Sequence, residues 1–201
     1  MDSGALSNLT RLTAKVDAFF DRVHARYAGE LACRPGCDDC CRRRLSVTGV
    51  EAAAIATGLA GQDERARAEV GRRARESSDR VCAALGPDGR CGIYAFRPLV
   101  CRSHGLPLRF ASDSDGAPVP NGAPVSSGAP GRRSLPVLDA CVKNFTEREL
   151  ASIDADCVLD QATLSTLLAA VDAAHAAETG RARGERFDLA ELLAAQLVQE
   201  S

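Results

Sequence analysis

Four cysteines fall within nine residues, Cys33-x-x-x-Cys37-x-x-Cys40-Cys41, and this run limits what the chain can fold into more than any other feature. Pro35 and Gly36 forbid a simple helical continuation through it. Gaps of two or three residues let a backbone turn so that several sulfurs meet one ion, at about 2.3 Å for zinc. Adjacent Cys40 and Cys41 project in different directions in most backbone conformations, so they can serve two ions, or a cluster and a neighbouring ion. A second group follows at Cys82, Cys91 and Cys101, and Cys141 is a further candidate to complete the set. The ninth cysteine, Cys157, reads as a half-buried small hydrophobe.

Redox compartment decides how such a pattern is read. Met1 to Phe20 has no uninterrupted apolar stretch behind a basic start, so no signal peptide is expected. No window approaches the roughly 18 apolar residues that span a bilayer. A cytoplasmic chain with no membrane partner is therefore expected, and there clustered cysteines point to metal or redox chemistry rather than to disulfides. Export would instead make a disulfide framework the leading alternative. Ordinary buried thiols fit poorly with four cysteines in nine residues.

Of the 201 residues 45% are apolar, enough for one domain with a real core. Aromatics are 4% and tryptophan is absent, so Ala and Leu carry the packing and helices are favoured. The net charge of −2 and the shortage of stacking aromatics argue against nucleic acid as a partner.

Leu6, Leu9, Leu12, Val16, Phe19, Val23 and Tyr27 form one stripe of a first helix that ends near Gly29. Thr48-Gly-Val-Glu51 has the form of a capping box and opens a second helix through about Thr57. Gln62 to Leu85 reads as a third, polar on most sides and exposed. Gly86-Pro-Asp-Gly89 is a turn. Residues 111–133, rich in Gly, Pro, Ser and Asp, read as a flexible loop. Thr146 with Glu149 caps a short helix. Asp160 starts a long one with Leu164, Leu167, Leu168 and Val171 on one face, and Asp188 caps a last one carrying Leu189, Leu192, Leu193 and Leu197. The expected fold is mainly α, a single helical domain with irregular cysteine-rich loops around a metal site. The expected organisation is an N-terminal amphipathic helix (1–29), a cysteine-cluster metal-binding domain (30–145), and C-terminal helices (146–201) on the same core.

The cysteine run at 33–41, Glu51, Cys82, and then Cys91-x-Ile-Tyr94-x-x-Arg97-Pro98-x-x-Cys101-Arg102 resembles the YkgJ family of bacterial cysteine-cluster proteins, described as chelating zinc or iron. The resemblance covers roughly residues 30–145 and implies eight metal-ligating cysteines: Cys33, Cys37, Cys40, Cys41, Cys82, Cys91, Cys101 and Cys141. The implied cofactor is zinc or iron, an iron–sulfur cluster included. One related group resembles flagellin lysine N-methylases, which implies an alternative: an iron- or cluster-dependent enzyme modifying protein side chains, with a protein partner or substrate. No glycine-rich strand-to-helix turn for S-adenosylmethionine is visible here.

The residues support metal independently of that resemblance. Thiolates around one ion leave net negative charge. The windows 33–44 and 90–102 hold seven arginines in 25 residues (Arg34, Arg42, Arg43, Arg44, Arg90, Arg97 and Arg102), against 23 in the 201 of the whole chain. Guanidinium groups stabilise thiolates and donate hydrogen bonds to sulfur. Asp38 and Asp39 partly oppose this. His104 is a further ligand candidate or a solvated loop histidine; Tyr94 packs on the site or donates a hydrogen bond to it. Glu51 could pair with Arg97 or Arg102, although capping already explains it. A thiol redox role for Cys37 with Cys40, or for the Cys40–Cys41 pair, ranks lower because no βαβ pattern surrounds them. No nucleophile–base pair, phosphate loop or carboxylate dyad names a reaction.

Overall fold

The first apolar stripe becomes α1 (Gly4–Tyr27), which buries Leu9, Leu12, Val16, Val23 and Tyr27. The computed structural model describes residues 4–34, 36–78, 80–111 and 136–195. The rest of the framework is β1 (Ser46–Thr48), α2 (Gly49–Ala60), α3 (Glu64–Glu76), α4 (Leu99–Ser103), β2 (Leu108–Phe110), β3 (Val137–Asp139), β4 (Leu159–Asp160), α5 (Gln161–Thr179), β5 (Arg186–Asp188) and α6 (Leu189–Ala195). Mainly α is therefore correct, with short strands added.

α1 packs on α5, α4 and α2, and α3 packs on α6. Buried Val47, Ile55, Leu59, Val70, Ile93, Leu189 and Leu193 form one cluster, with Cys41, Leu45, Cys91 and Phe96 packed on its edge. A second cluster gathers Val23, Tyr27, Leu106, Phe145, Ile153 and Val158 around Cys157, which is 0% exposed. The ninth cysteine is thus fully buried. The cysteine-bearing loops lie over the first cluster.

Caps set the helix starts. Asp160 Oδ1 accepts Thr163 N–H at 2.8 Å at the head of α5. Asp188 Oδ1 accepts Ala190 N–H at 2.9 Å at the head of α6. The α2 cap is doubly supported, because buried Asp172 reaches across from α5 to accept Val50 N–H at 3.0 Å.

Several expectations need correction. The third helix stops at Glu76, nine residues short of Leu85, since Ser77 turns extended and Ala83 and Ala84 bury beside Cys82. Nor is it exposed all round: Val70, Gly71 and Ala74 are buried. Glu149 makes no side-chain cap, and two 3-10 turns, Leu150–Ser152 and Ala155–Cys157, stand where a short helix was expected. Leu167 is 48% exposed, off the buried face of α5. The loop expected at 111–133, apart from Ala111, and Leu197 lie outside the described residues.

β1 and β5 pair antiparallel, Val47 opposite Phe187, so the segment that leads into α6 lies against the strand that follows the cysteine run. β2 pairs antiparallel with β3 and parallel with β4, bringing the segment after α4 against the residues before Cys141. No helix among the described residues is long and apolar enough to cross a membrane.

Two carboxylates make the fold acid-sensitive. The Thr163 backbone N–H holds Asp160 below the ordinary carboxylate range. The Tyr27 hydroxyl, then Arg26, does the same for Asp154. Depressed folded values give stability that is present above the unfolded carboxylate value and lost as pH falls. Unfolding free energy is expected to decline below about pH 4, and Asp160→Asn should flatten part of that limb. An unchanged acid limb in urea titrations of that variant would contradict the assignment.

Candidate metal centre

After α1 the chain runs extended from Leu31 to Arg34, anchored by Ala32 N–H on the side-chain carbonyl of Asn144 at 2.8 Å. Cys37 N–H returns to Arg34 O at 2.9 Å, and a 3-10 turn, Asp39–Cys41, presents the last two cysteines of the run. Lys143 pairs with Asp39, which holds the Cys141 loop against this turn. Cys82 N–H donates to Cys41 O at 2.7 Å. Leu85 then bridges Cys91 across the turn at 86–90, closed by Gly86 N–H on Arg90 O at 2.7 Å and Gly92 N–H on Ala84 O at 2.8 Å. The expected Gly86–Gly89 turn is therefore the device that delivers Cys91 next to Cys82.

α4 carries Cys101, and its start is bound to α2 by Glu51. This buried carboxylate accepts Thr48 N–H at 3.0 Å and the Thr48 hydroxyl at 2.9 Å, while its other oxygen accepts Leu99 N–H at 2.9 Å. Glu51 is a cap that also positions α4.

These segments surround a cavity of about 350 Å³ lined by Cys37, Cys40, Cys41, Cys82, Cys91 and Cys101. His104, Tyr94, Arg34, Arg43, Arg90 and Arg97 complete much of its wall. Cys33 and Cys141 lie outside that lining. Cys33 Sγ instead lies 3.3 Å from the Asn144 side-chain nitrogen, and Asn144 N–H closes a turn on Cys141 O at 2.8 Å. All nine cysteines are free thiols.

Burial dominates the thiol chemistry. It pushes Cys101 up to about 12 and raises Cys33, Cys82 and Cys91. The vicinal pair divides its roles. Cys41 keeps its proton and donates it in a hydrogen bond to Cys40, whose value falls to about 6 with help from Arg97 and Arg43. A cation entering here must therefore displace protons from the thiols that burial raises. His104 is lowered by burial and then by Arg43, which favours the neutral ring that ligates metals.

Among the described residues, no three His, Cys, Asp or Glu side chains are drawn together tightly enough to hold one ion as they stand. The donor chemistry nonetheless fits zinc or iron: soft sulfur donors at the cavity wall, with guanidinium charge facing them.

The arginine enrichment is only partly devoted to the thiols. Arg97 lies 4.2 Å over the ring of Tyr94, and Tyr94 itself is 62% exposed at the cavity wall. Arg42 pairs with Asp38. Arg44 pairs with Asp188 at 2.6 Å. Arg102 pairs with Asp17 of α1 and donates to Arg97 O at 3.0 Å and Ala95 O at 2.8 Å, so it braces α4 rather than facing the cavity. Asn144 is the residue that sequence reasoning missed. It is 4% exposed and bonds to Ala32, Gly105 and Cys33, yet an asparagine three positions after a cysteine gives no periodic signal.

Residues 32–114 match the family model CxxCxxCC, described as a "putative zinc- or iron-chelating domain". No curated protein and no solved structure matches the chain. The match begins one residue before Cys33 and takes in seven of the eight cysteines expected to ligate metal, leaving Cys141 beyond its end. Over residues 32–114 the chain is therefore similar to the YkgJ-type cysteine-cluster domain.

Proposed function

We propose that this chain binds zinc or iron through Cys33, Cys37, Cys40, Cys41, Cys82, Cys91, Cys101 and Cys141, an iron–sulfur cluster being one form the iron takes. The observation that carries the reading is the convergence of six free thiols, from segments far apart in sequence, on one cavity with arginines in its wall. Bound metal would supply a strong cross-link among these segments, since thiolate ligation contributes directly to folding. In this reading, an N-terminal helix (1–29) and C-terminal helices (146–201) frame the segment 30–145. A reducing cytoplasm is the matching compartment, because free thiols persist there. The arrangement suits a structural or carried metal.

The test is anaerobic purification, elemental analysis and a visible spectrum. Stoichiometric zinc without colour, or iron with a broad band that bleaches on reduction, is expected. Cys40→Ser should lower metal content several-fold, whereas Cys157→Ala should leave it unchanged. A chain that takes up neither metal, or one in which only Cys157 matters, would overturn the reading.

A further inference from the structure

The arginines near the cysteines sort into two sets. Arg42, Arg44 and Arg102 have carboxylate partners, Asp38, Asp188 and Asp17, and none of the three lines the cysteine cavity. Arg34, Arg43, Arg90 and Arg97 all line it, and no carboxylate among the described residues pairs with them. We propose that this cavity also binds a small oxyanion, a phosphate or carboxylate group, free or carried on a small molecule. Arg97 holds it beside the metal, with Arg34, Arg43 and Arg90 at the mouth. The proposal rests on the metal-binding reading above and goes beyond it by naming a second ligand.

Charge balance favours an anion. A guanidinium stays protonated, so each of the four arginines carries a full positive charge. One zinc with four thiolates, two zincs sharing six, or one cubane iron–sulfur cluster held by four all leave a net charge of about −2. Thiols that keep their protons add nothing to this. Among the described residues, no Asp or Glu lines the cavity. A filled metal centre therefore offsets about half of the arginine charge. The remainder faces an opening where the protein supplies no carboxylate.

Geometry points the same way. Arg34, Arg43 and Arg90 are exposed, whereas Arg97 is half-buried. Its guanidinium lies 4.2 Å over the Tyr94 ring, a stacking contact that fixes its plane and uses none of its N–H groups. Arg97 Nε is buried and has no hydrogen-bond partner. A planar fork of donors held in one orientation takes a carboxylate or a phosphate through two parallel bonds. The cavity, at about 350 Å³, falls in the range of small-molecule sites, roughly 300–1,000 Å³. Exposed Tyr94 and Val100 also line it, so apolar surface flanks the arginines and suits the carbon body of a carried anion.

Calorimetric titration of the anaerobically purified, metal-loaded full-length chain tests this, with inorganic phosphate and acetate as separate probes and elemental analysis of every sample. Saturable binding of one anion per chain is expected for at least one probe, and the probe that binds distinguishes phosphate from carboxylate. Arg97→Gln should weaken that binding by about tenfold or more, the loss of one charge-assisted pair, with metal content kept. Arg72→Gln, an equal loss of charge on α3, should leave it unchanged. If Arg97→Gln loses metal, the exposed triple variant Arg34→Gln/Arg43→Gln/Arg90→Gln decides by the same criterion. No saturable binding of either anion to the metal-loaded wild type would overturn the anion site while leaving metal binding intact. Wild-type affinity in the metal-retaining arginine variant would do the same. A chain that takes up no metal would instead remove the underlying reading.

Discussion

Replacing Glu51 with alanine is expected to lower the midpoint of thermal unfolding by roughly 6–12 °C, from about 3 kcal/mol of lost stability at the size of this chain. The cause is specific. One carboxylate, 4% exposed, satisfies three donors: Thr48 N–H, the Thr48 hydroxyl and Leu99 N–H. Alanine would leave the two backbone donors buried without partners, which costs more than the hydrogen bonds themselves contribute. It would also release α4 from α2, and with it Cys101. Glu51→Gln should fall between alanine and wild type, since its carbonyl can still accept from Leu99 while the Thr48 hydroxyl turns to accept from its amide. Metal content should drop with Glu51→Ala even well below its unfolding midpoint. If alanine and glutamine prove equally mild, Glu51 is not what joins the two helices.

Glu51 also shows what can be read from a sequence. Thr48 and Glu51 are three residues apart, so their capping relation is local and visible as a pattern. The third bond, to Leu99, spans 48 residues and leaves no trace in spacing. The same division runs through the molecule. α1, α2, α5 and α6 were legible because 3.6-residue periodicity or a capping residue marks each one. The third helix was read too long because Arg and Ala beyond Glu76 keep good helix propensity, whereas the helix ends where Ser77 turns extended and its hydroxyl donates to Ala74 O at 3.0 Å. The five strands among the described residues, of two or three residues each, are too short to show alternation, and their pairing, such as Ser46 with Asp188, joins distant segments. The cysteines themselves were identifiable by density alone. The packing of Cys33 against Asn144 and Gly105, outside the cavity lining, was not, because neither residue differs in sequence from an ordinary loop residue.

Substituting Asn144 with alanine is the change expected to disturb Cys33 and Cys141 most. Ala32 N–H would lose its acceptor and Gly105 O its donor, a cost of about 2–4 kcal/mol for two unsatisfied backbone groups. Cys33 would lose the neighbour that orients its sulfur. Gly105→Ala attacks the same crossing from the other side. Its φ of +92° is one that side-chain-bearing residues rarely adopt, and its Cβ would meet Cys33 Sγ at 2.5 Å and the Asn144 side-chain nitrogen at 3.1 Å. Because both changes break one junction, their effects on unfolding free energy should be less than additive, with a coupling on the order of 1 kcal/mol or more in a double-mutant cycle. Strict additivity in urea titrations would mean that residues 32, 105 and 144 do not form one structural unit.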